Sequence, residues 1–430
     1  MSTITRRGFG AGGLGATLGL LGAPRGGGAQ SGAPGFMSFT FAEDAGRPHV
    51  QAVLDSFRSA SGIAVEPIGS AWGDMQRNIL LRSRSRTLPA SAQVQERWLP
   101  SLASLPEILD LDALFGPGAL DSAIEPSVLA MGRHRGRLIG LPLITGSIGM
   151  IANTEVLARA GVTRMPATVE EFRAALVAVR DRVPNSVPFA MATKNPNSIP
   201  LDALIWVWTH GGRIIDDEGG VRINTPEGRA AMEHVVGMMR DRLIAPEVDR
   251  PDARRLFAQG AAAFYIDAPQ GRLFIRTFSG RGEAADAFTR PVPTPVLRVG
   301  DAPRSVQWGH LVVFFRGGQT AGMDSAGARW ARHLASDAVQ TTFPVALSAL
   351  PATRAGRAAP AVQDDAYFKA WSEAAGSPLP HEIGIWSNAP ELSTILSEEL
   401  QAAMLGQKPA AAAAASMQSR MEASMARRAG

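Results

Sequence analysis

The side chains with the clearest chemical use are acids and indoles placed just past apolar runs. Glu43 and Asp44 follow the run 36–41, and Trp72 follows the run 63–68. An indole offers a flat apolar face for stacking, while carboxylates accept hydrogen bonds from a polar solute. Each has a plainer alternative: Trp72 as a lid over the helix beginning near Met75, Glu43 and Asp44 as a solvated turn. Trp206 and Trp208 lie two apart on a predicted helix, so they point in different directions and at least one belongs to core or rim.

The remaining reactive residues exclude whole classes of chemistry. The seven histidines (His49, His134, His210, His234, His310, His333 and His381) show no H-E-x-x-H or other paired ligand spacing. No G-x-S-x-G and no P-loop occurs. Asp216-Asp217 and Glu398-Glu399 read as solvated turns or helix faces, and a glycosidase would need two carboxyl groups facing each other across a cleft. With no cysteine, disulfides, thiolate-ligated zinc, iron–sulfur clusters and thiol catalysis are excluded. No catalytic residue, no metal and no cofactor is expected. Met417, Met421 and Met425 fall four apart and read as a core stripe.

These residues must be positioned by a large α/β chain. At 430 residues, 45% of them apolar, there is enough chain for two lobes with separate cores. The net charge is +4, and Arg6, Arg7 and Arg25 sit in a segment expected to be removed. Without those three, 40 basic residues face 39 acidic ones with no basic block, which argues against nucleic acid as a partner.

Residues 1–29 read as an export address. Arg6-Arg7-Gly8-Phe9 matches a twin-arginine signal, residues 10–21 are weakly apolar, and Gly27-Gly28-Ala29 offers a small-x-small cleavage site. The overlapping G-x-G-x-x-G matches at Gly8 and Gly10 follow no strand, and the first acid after them is Glu43, so they are products of glycine-rich composition.

Beyond it, strand 36–41, helix 48–60 and strand 63–68 form a βαβ unit and hence a parallel sheet. Residues 138–143 read as a buried strand, Thr145-Gly146-Ser147-Ile148-Gly149 as a hinge, and 150–153 as a second strand before a helix starting at Asn153-Thr154-Glu155. Thr168 with Glu171 forms a capping box, and Phe172, Leu176, Val179 and Val183 share the apolar face that follows. Strand 189–193 precedes a helix capped by Ser198. Thr225 caps the next helix with Pro226 in its first turn.

This ordered set resembles the ABC-importer solute-binding proteins of extracellular family 1, the maltose-binding-protein-like group. The resemblance rests on Gly136, Gly140, Pro142, Asn153 and Gly161, on Pro166-Ala167-Thr168-Val169-Glu170-Glu171-Phe172, and on the stretch 254–266 ending before Asp267. It implies an α/β, two-lobed periplasmic-binding-protein fold with an interlobe ligand cleft. Lobe 1 would comprise 36–145 and the return segment 307–350. Lobe 2 would comprise 146–306 and most of the closing helices in 351–430. It further implies that Asp267 contacts ligand or caps the next turn, that an aromatic at Trp206 or Trp208 and another at Trp308 or His310 lies near ligand, and that Gln95 or Trp98 replaces the usual acid after the third strand. Some relatives bind iron through paired tyrosines, but Tyr265 and Tyr367 are far apart in sequence.

The function so implied is a monomeric periplasmic solute-binding protein that delivers a sugar, polyol or glycerophosphodiester to ABC importer membrane subunits. An anionic solute also fits the 40 arginines against three lysines. The alternative is an exported hydrolase or cofactor-binding redox enzyme.

Overall fold

The structure is a computed structural model that describes residues 33–429, so the export segment 1–29 lies outside the described residues. The chain opens with β1 (Gly35–Ser38), where the sequence suggests strand to residue 41. Instead Phe39–Ala42 is one helical turn, because the Ser38 hydroxyl accepts the Phe41 N–H at 3.0 Å and caps it. The Arg47–Ser61 helix buries Val50, Val53, Leu54 and Phe57 at the expected spacing. β2 (Glu66–Gly69) and β3 (Ser91–Gln95) lie on either side of β1, both parallel to it.

The hairpin β4 (Arg133–His134) and β5 (Arg137–Leu138) then leads into β6 (Leu141–Asn153). The expected break at Thr145–Gly149 does not occur: β6 is one strand of 13 residues. It stays extended because it is paired from end to end, save for a bulge at Leu143. Residues 141–148 pair with β10 (Val306–Phe314), and residues 149–153 pair with β8 (Phe264–Asp267) and β9 (Thr289–Val292). β7 (Phe189–Ala190) lies parallel to β8, and β11 (Leu350–Pro351) pairs with β6. The path across the sheet is β2-β1-β3-β10-β6-β8-β7, so β6 joins a β1–β3 side to a β7–β9 side. Trp308 pairs with Gly146 and Gly309 with Thr145, placing the two crossings side by side.

One buried cluster runs across the shared strand, with Phe36 and Phe57 on one side and Phe172 and Trp206 on the other, and further clusters lie on single sides around Phe257 and Tyr265 and around Met37 and Val94. Ile144, Ile148 and Met150 of the shared strand, with Trp308, belong to the first cluster. The helix caps at Asn153, Thr168 and Thr225 form as their residue types suggest. Ser198 does not cap the Ile199–Thr209 helix; its hydroxyl donates to Asp249 Oδ1 at 2.8 Å. Glu399, expected to be solvated, is buried and bound to Lys408, Ser416 and Arg420, while Asp216 accepts the Gly220 N–H and pairs with Arg222. Met417, Met421 and Met425 are core. No helix among the described residues is long and apolar enough to cross a membrane.

Gly309 fixes how closely β10 can lie on β6. A Cβ there would sit 2.9 Å from the Ile144 carbonyl oxygen, a backbone atom that cannot turn aside, and would also meet the Met131 methyl. Gly309→Ala is therefore expected to cost about 1–3 kcal/mol of stability by overpacking, read as a lower urea midpoint with an unchanged m-value.

Candidate functional site

Both sides of the sheet direct their parallel strand ends at one enclosed space, the arrangement in which open α/β sheets collect ligands. Phe39 and Glu43 follow β1, Trp72 follows β2, Gln95 ends β3, and Asp267 with Gln270 ends β8. Trp308 and His310 reach the same space from β10, two apart and hence on one face of the strand. A bulge between His310 and Leu311 follows them. Leu201, Arg250, Pro251 and Arg254 close the far wall.

Six of the residues singled out from sequence thus come together: Glu43, Trp72, Gln95, Asp267, Trp308 and His310. Three do not. Asp44 projects outward, 88% exposed, and pairs with Arg47. Trp206 is buried against Phe172, Phe189 and His234. Trp208 is buried with its indole N–H donating to Glu382 at 2.7 Å. The Ile199–Thr209 helix that carries both indoles buries nearly every residue, so neither face is free for the cleft. Trp98 is also core, packed against Phe39.

Sequence reasoning missed the arginines. Arg254 is the centre of the wall: Nε is 2.7 Å from Asp267 Oδ2, Nη2 is 3.3 Å from Oδ1, and Nη1 is 3.5 Å from Glu43 Oε1 across the space. The guanidinium lies 3.7 Å from the Phe274 ring centroid. Arg250 pairs with Asp202 at 2.5 Å and donates to the Ile266 carbonyl. Their partners are 13 to 211 residues away, beyond any local pattern, although both fall in the stretch leading to Asp267.

Burial controls the protonation of the site. It pushes the Glu43 carboxyl up, against the pull of Arg254. It pushes Glu96, whose Oε2 accepts the Gly309 N–H at 2.8 Å, up to about 7, and His310 down to about 3. His310 is neutral, with Nδ1 accepting from Gln93 Nε2 at 3.2 Å, while Gln93 Oε1 accepts from Ser38. The His310 ring stands edge-on to Phe39 and Trp308, centroids 4.8 and 4.4 Å away. Among the described residues no group of three or more metal-ligating side chains is assembled.

The enclosed space is about 40 Å³, room for one or two waters rather than a sugar ring. Admission of a larger solute requires the walls to part. The polar contacts that must then break are few: Arg254 with Glu43, Asn197 Nδ2 with the Gly73 carbonyl at 2.8 Å, and Arg97 Nη2 with the Asn197 carbonyl at 3.5 Å. Gly73 permits this approach, since a Cβ there would lie 2.5 Å from Asn195 Nδ2.

Against this geometry stand the comparisons with known proteins. A match to the family of bacterial extracellular solute-binding proteins spans residues 52–370. A Brucella abortus (strain 2308) protein named as a binding protein is 24% identical over 253 residues, 56% of this chain and 60% of the relative. The chain thus spans about three-fifths of that relative's length. Among solved structures, the GacH receptor of Streptomyces glaucescens, determined unliganded and with acarbose, aligns with a TM-score of 0.78 at 17% identity over 90% of this chain and 97% of the receptor. An ABC transporter solute-binding protein of Thermotoga lettingae, bound to α-D-tagatose, aligns with a TM-score of 0.79 at 17% identity over 91% and 100%. At these identities the two structures establish a shared two-lobed α/β fold.

Proposed function

The chain belongs to the bacterial extracellular solute-binding proteins, and from that membership we propose that it captures a carbohydrate or related polar solute in the cleft. It hands the solute to the membrane subunits of an ABC importer and catalyses no reaction. The observation that carries this reading is the convergence of Trp72, Trp308, Glu43, Gln95 and Asp267 at strand ends from both sides of β6. Indoles offer flat apolar faces, and the carboxylates and amide accept and donate to hydroxyls. Residues 36–145 with 307–350 act as one lobe and 146–306 with most of 351–430 as the other, the chain crossing along β6 and returning along β10. A solute touching both walls favours the closed arrangement by its differential affinity for it. Export through the twin-arginine pathway to the periplasm rests on Arg6-Arg7-Gly8-Phe9.

The test is a thermal-shift screen over mono- and oligosaccharides, polyols, sugar acids and phosphate esters, followed by calorimetry on hits. One solute class is expected to raise the melting temperature. Trp72→Ala should then weaken binding about tenfold, or about 1.4 kcal/mol, with an unchanged far-UV CD spectrum. No shift by any class, with turnover of a test glycoside or ester, would refute the reading.

A further inference from the structure

Among the described residues Arg97 is the buried arginine of the cleft region that makes no ion pair with a carboxylate. It is 7% exposed and lies two residues after Gln95, beyond Glu96, in the turn at the end of β3. Its Nη1 is buried with no hydrogen-bond partner among the described residues, and its Nη2 makes only the 3.5 Å contact to the Asn197 carbonyl. No acidic oxygen among the described residues lies within ion-pairing distance of it. Arg250, Arg254 and Arg272 are all paired with aspartates.

The contrast shows in their basicity. Nearby carboxylates raise Arg250, Arg254 and Arg272 despite burial, whereas burial pushes Arg97 down to about 10 against the opposing pull of Glu96, with Arg250 adding to the fall. At neutral pH it is still a cation, and a buried cation that makes no direct ion pair is costly for a fold to hold.

Its surroundings are built for a ligand. The guanidinium carbon lies 5.6 Å from the ring centroids of both Trp72 and Trp98, so apolar faces flank it. Gln95 Oε1, two residues earlier and on the cleft wall, is also buried without a partner, so the segment carries an unused acceptor as well as an unused donor. Arg97 itself lines a second pocket of about 300 Å³ whose wall holds Arg133, His134, Arg135 and His381 against the single carboxylate of Glu96, while its neighbours Gln95 and Trp72 line the cleft space. A guanidinium fork matches the two oxygens of a carboxylate or phosphate.

We propose that the solute carries an anionic group, a carboxylate or a phosphate ester, and that Arg97 receives it while Gln95 accepts from a neighbouring hydroxyl. This rests on the cleft being a solute site, and it narrows the solute to acidic sugars and polyol phosphates.

The experiment compares matched pairs by calorimetry: glucose with glucuronate, galactose with galacturonate, glycerol with glycerol 3-phosphate. In at least one pair the charged member is expected to bind at least about tenfold tighter, with an affinity that falls as salt rises. Arg97→Met should bring that pair within about twofold, and Arg97→Lys, which keeps the charge but not the fork, should fall between. If Arg97→Met does not fold, the lysine variant and the salt dependence decide. Neutral members binding as tightly as their acids, neutral oligosaccharides binding while every charged probe fails, or a preference that survives in both variants would each overturn the proposal and leave solute binding standing. Failure of every solute, neutral and charged, would remove the solute site itself and the proposal with it.

Discussion

Between pH 7 and pH 5 an Glu96→Gln variant is expected to lose about 4 kcal/mol of stability through His310 and His381, and the natural chain about half as much. Both histidines are buried and held neutral, each pushed by burial to about 3. His381 Nδ1 accepts the backbone N–H groups of Ile383 and Gly384 at 3.2 and 3.0 Å, and a proton on that nitrogen would forfeit both. A histidine pKa depressed on folding gives stability that is present above the unfolded value near 6.5 and lost as pH falls. From pH 7 to 5 that amounts to about 2 kcal/mol for each ring. Glu96 has the opposite sign. Its carboxyl is raised to about 7, so its contribution is full below the unfolded value near 4.5 and lost as pH rises through 7. Over the same interval it returns about 2 kcal/mol, and Glu43, also raised, acts in the same direction. His234, less deeply buried and also pushed to about 3, adds to the histidine side. Urea unfolding of both chains at pH 7 and 5 reads the difference directly. Equal losses would show that Glu96 titrates normally, and no loss in the variant would show that the imidazoles accept protons within the fold.

How much of this was legible depends on the range of the interactions. Caps and amphipathic faces are local, so Thr168 with Glu171, Thr225 with Pro226 and the Met417–Met421–Met425 stripe follow from residue type and spacing alone. Gly146 and Gly149 suggest a hinge because glycine frees the backbone, but what a strand does is set by its neighbours, and β6 has partners from end to end apart from one bulge opposite His310 and Leu311. Cleft positions at strand ends were legible as positions: Glu43, Trp72 and Asp267 reach the space, yet nothing local separates Glu43 from Asp44, which turns outward to Arg47. For Trp206 and Trp208 a usable signal was present. IPLDALIWVWT is apolar around its full circumference apart from Asp202 and the terminal Thr209, the mark of a helix enclosed on all sides. The arginine wall was not legible, since Arg254 meets Glu43 and Asp267, and Arg250 meets Asp202, only after the chain has folded.

That enclosed Asp202 leads to the second large effect. Arg250→Met is expected to destabilise the protein by about 3–5 kcal/mol, whereas Arg250→Met combined with Asp202→Leu should recover most of the loss. Asp202 is fully buried, and burial raises its carboxyl even with Arg250 beside it. Its Oδ2 accepts the Ala192 N–H at 2.8 Å and its Oδ1 takes Arg250 Nη2 at 2.5 Å, while Arg250 Nη1 donates to the Ile266 carbonyl. Removing only the cation leaves a carboxylate in the core with one backbone N–H for company. Removing both exchanges a desolvated pair for apolar contact, which is often close to neutral. The same pair ties the Ile199–Thr209 helix, the start of the Arg250–Ala258 helix and β8 together directly behind the cleft wall. A double variant that regains stability is therefore expected to bind solute more weakly than the natural chain, because Arg250 and the Asp267 loop lose their common anchor. Equal destabilisation in the single and double variants would show that the pair is held for packing volume rather than for charge.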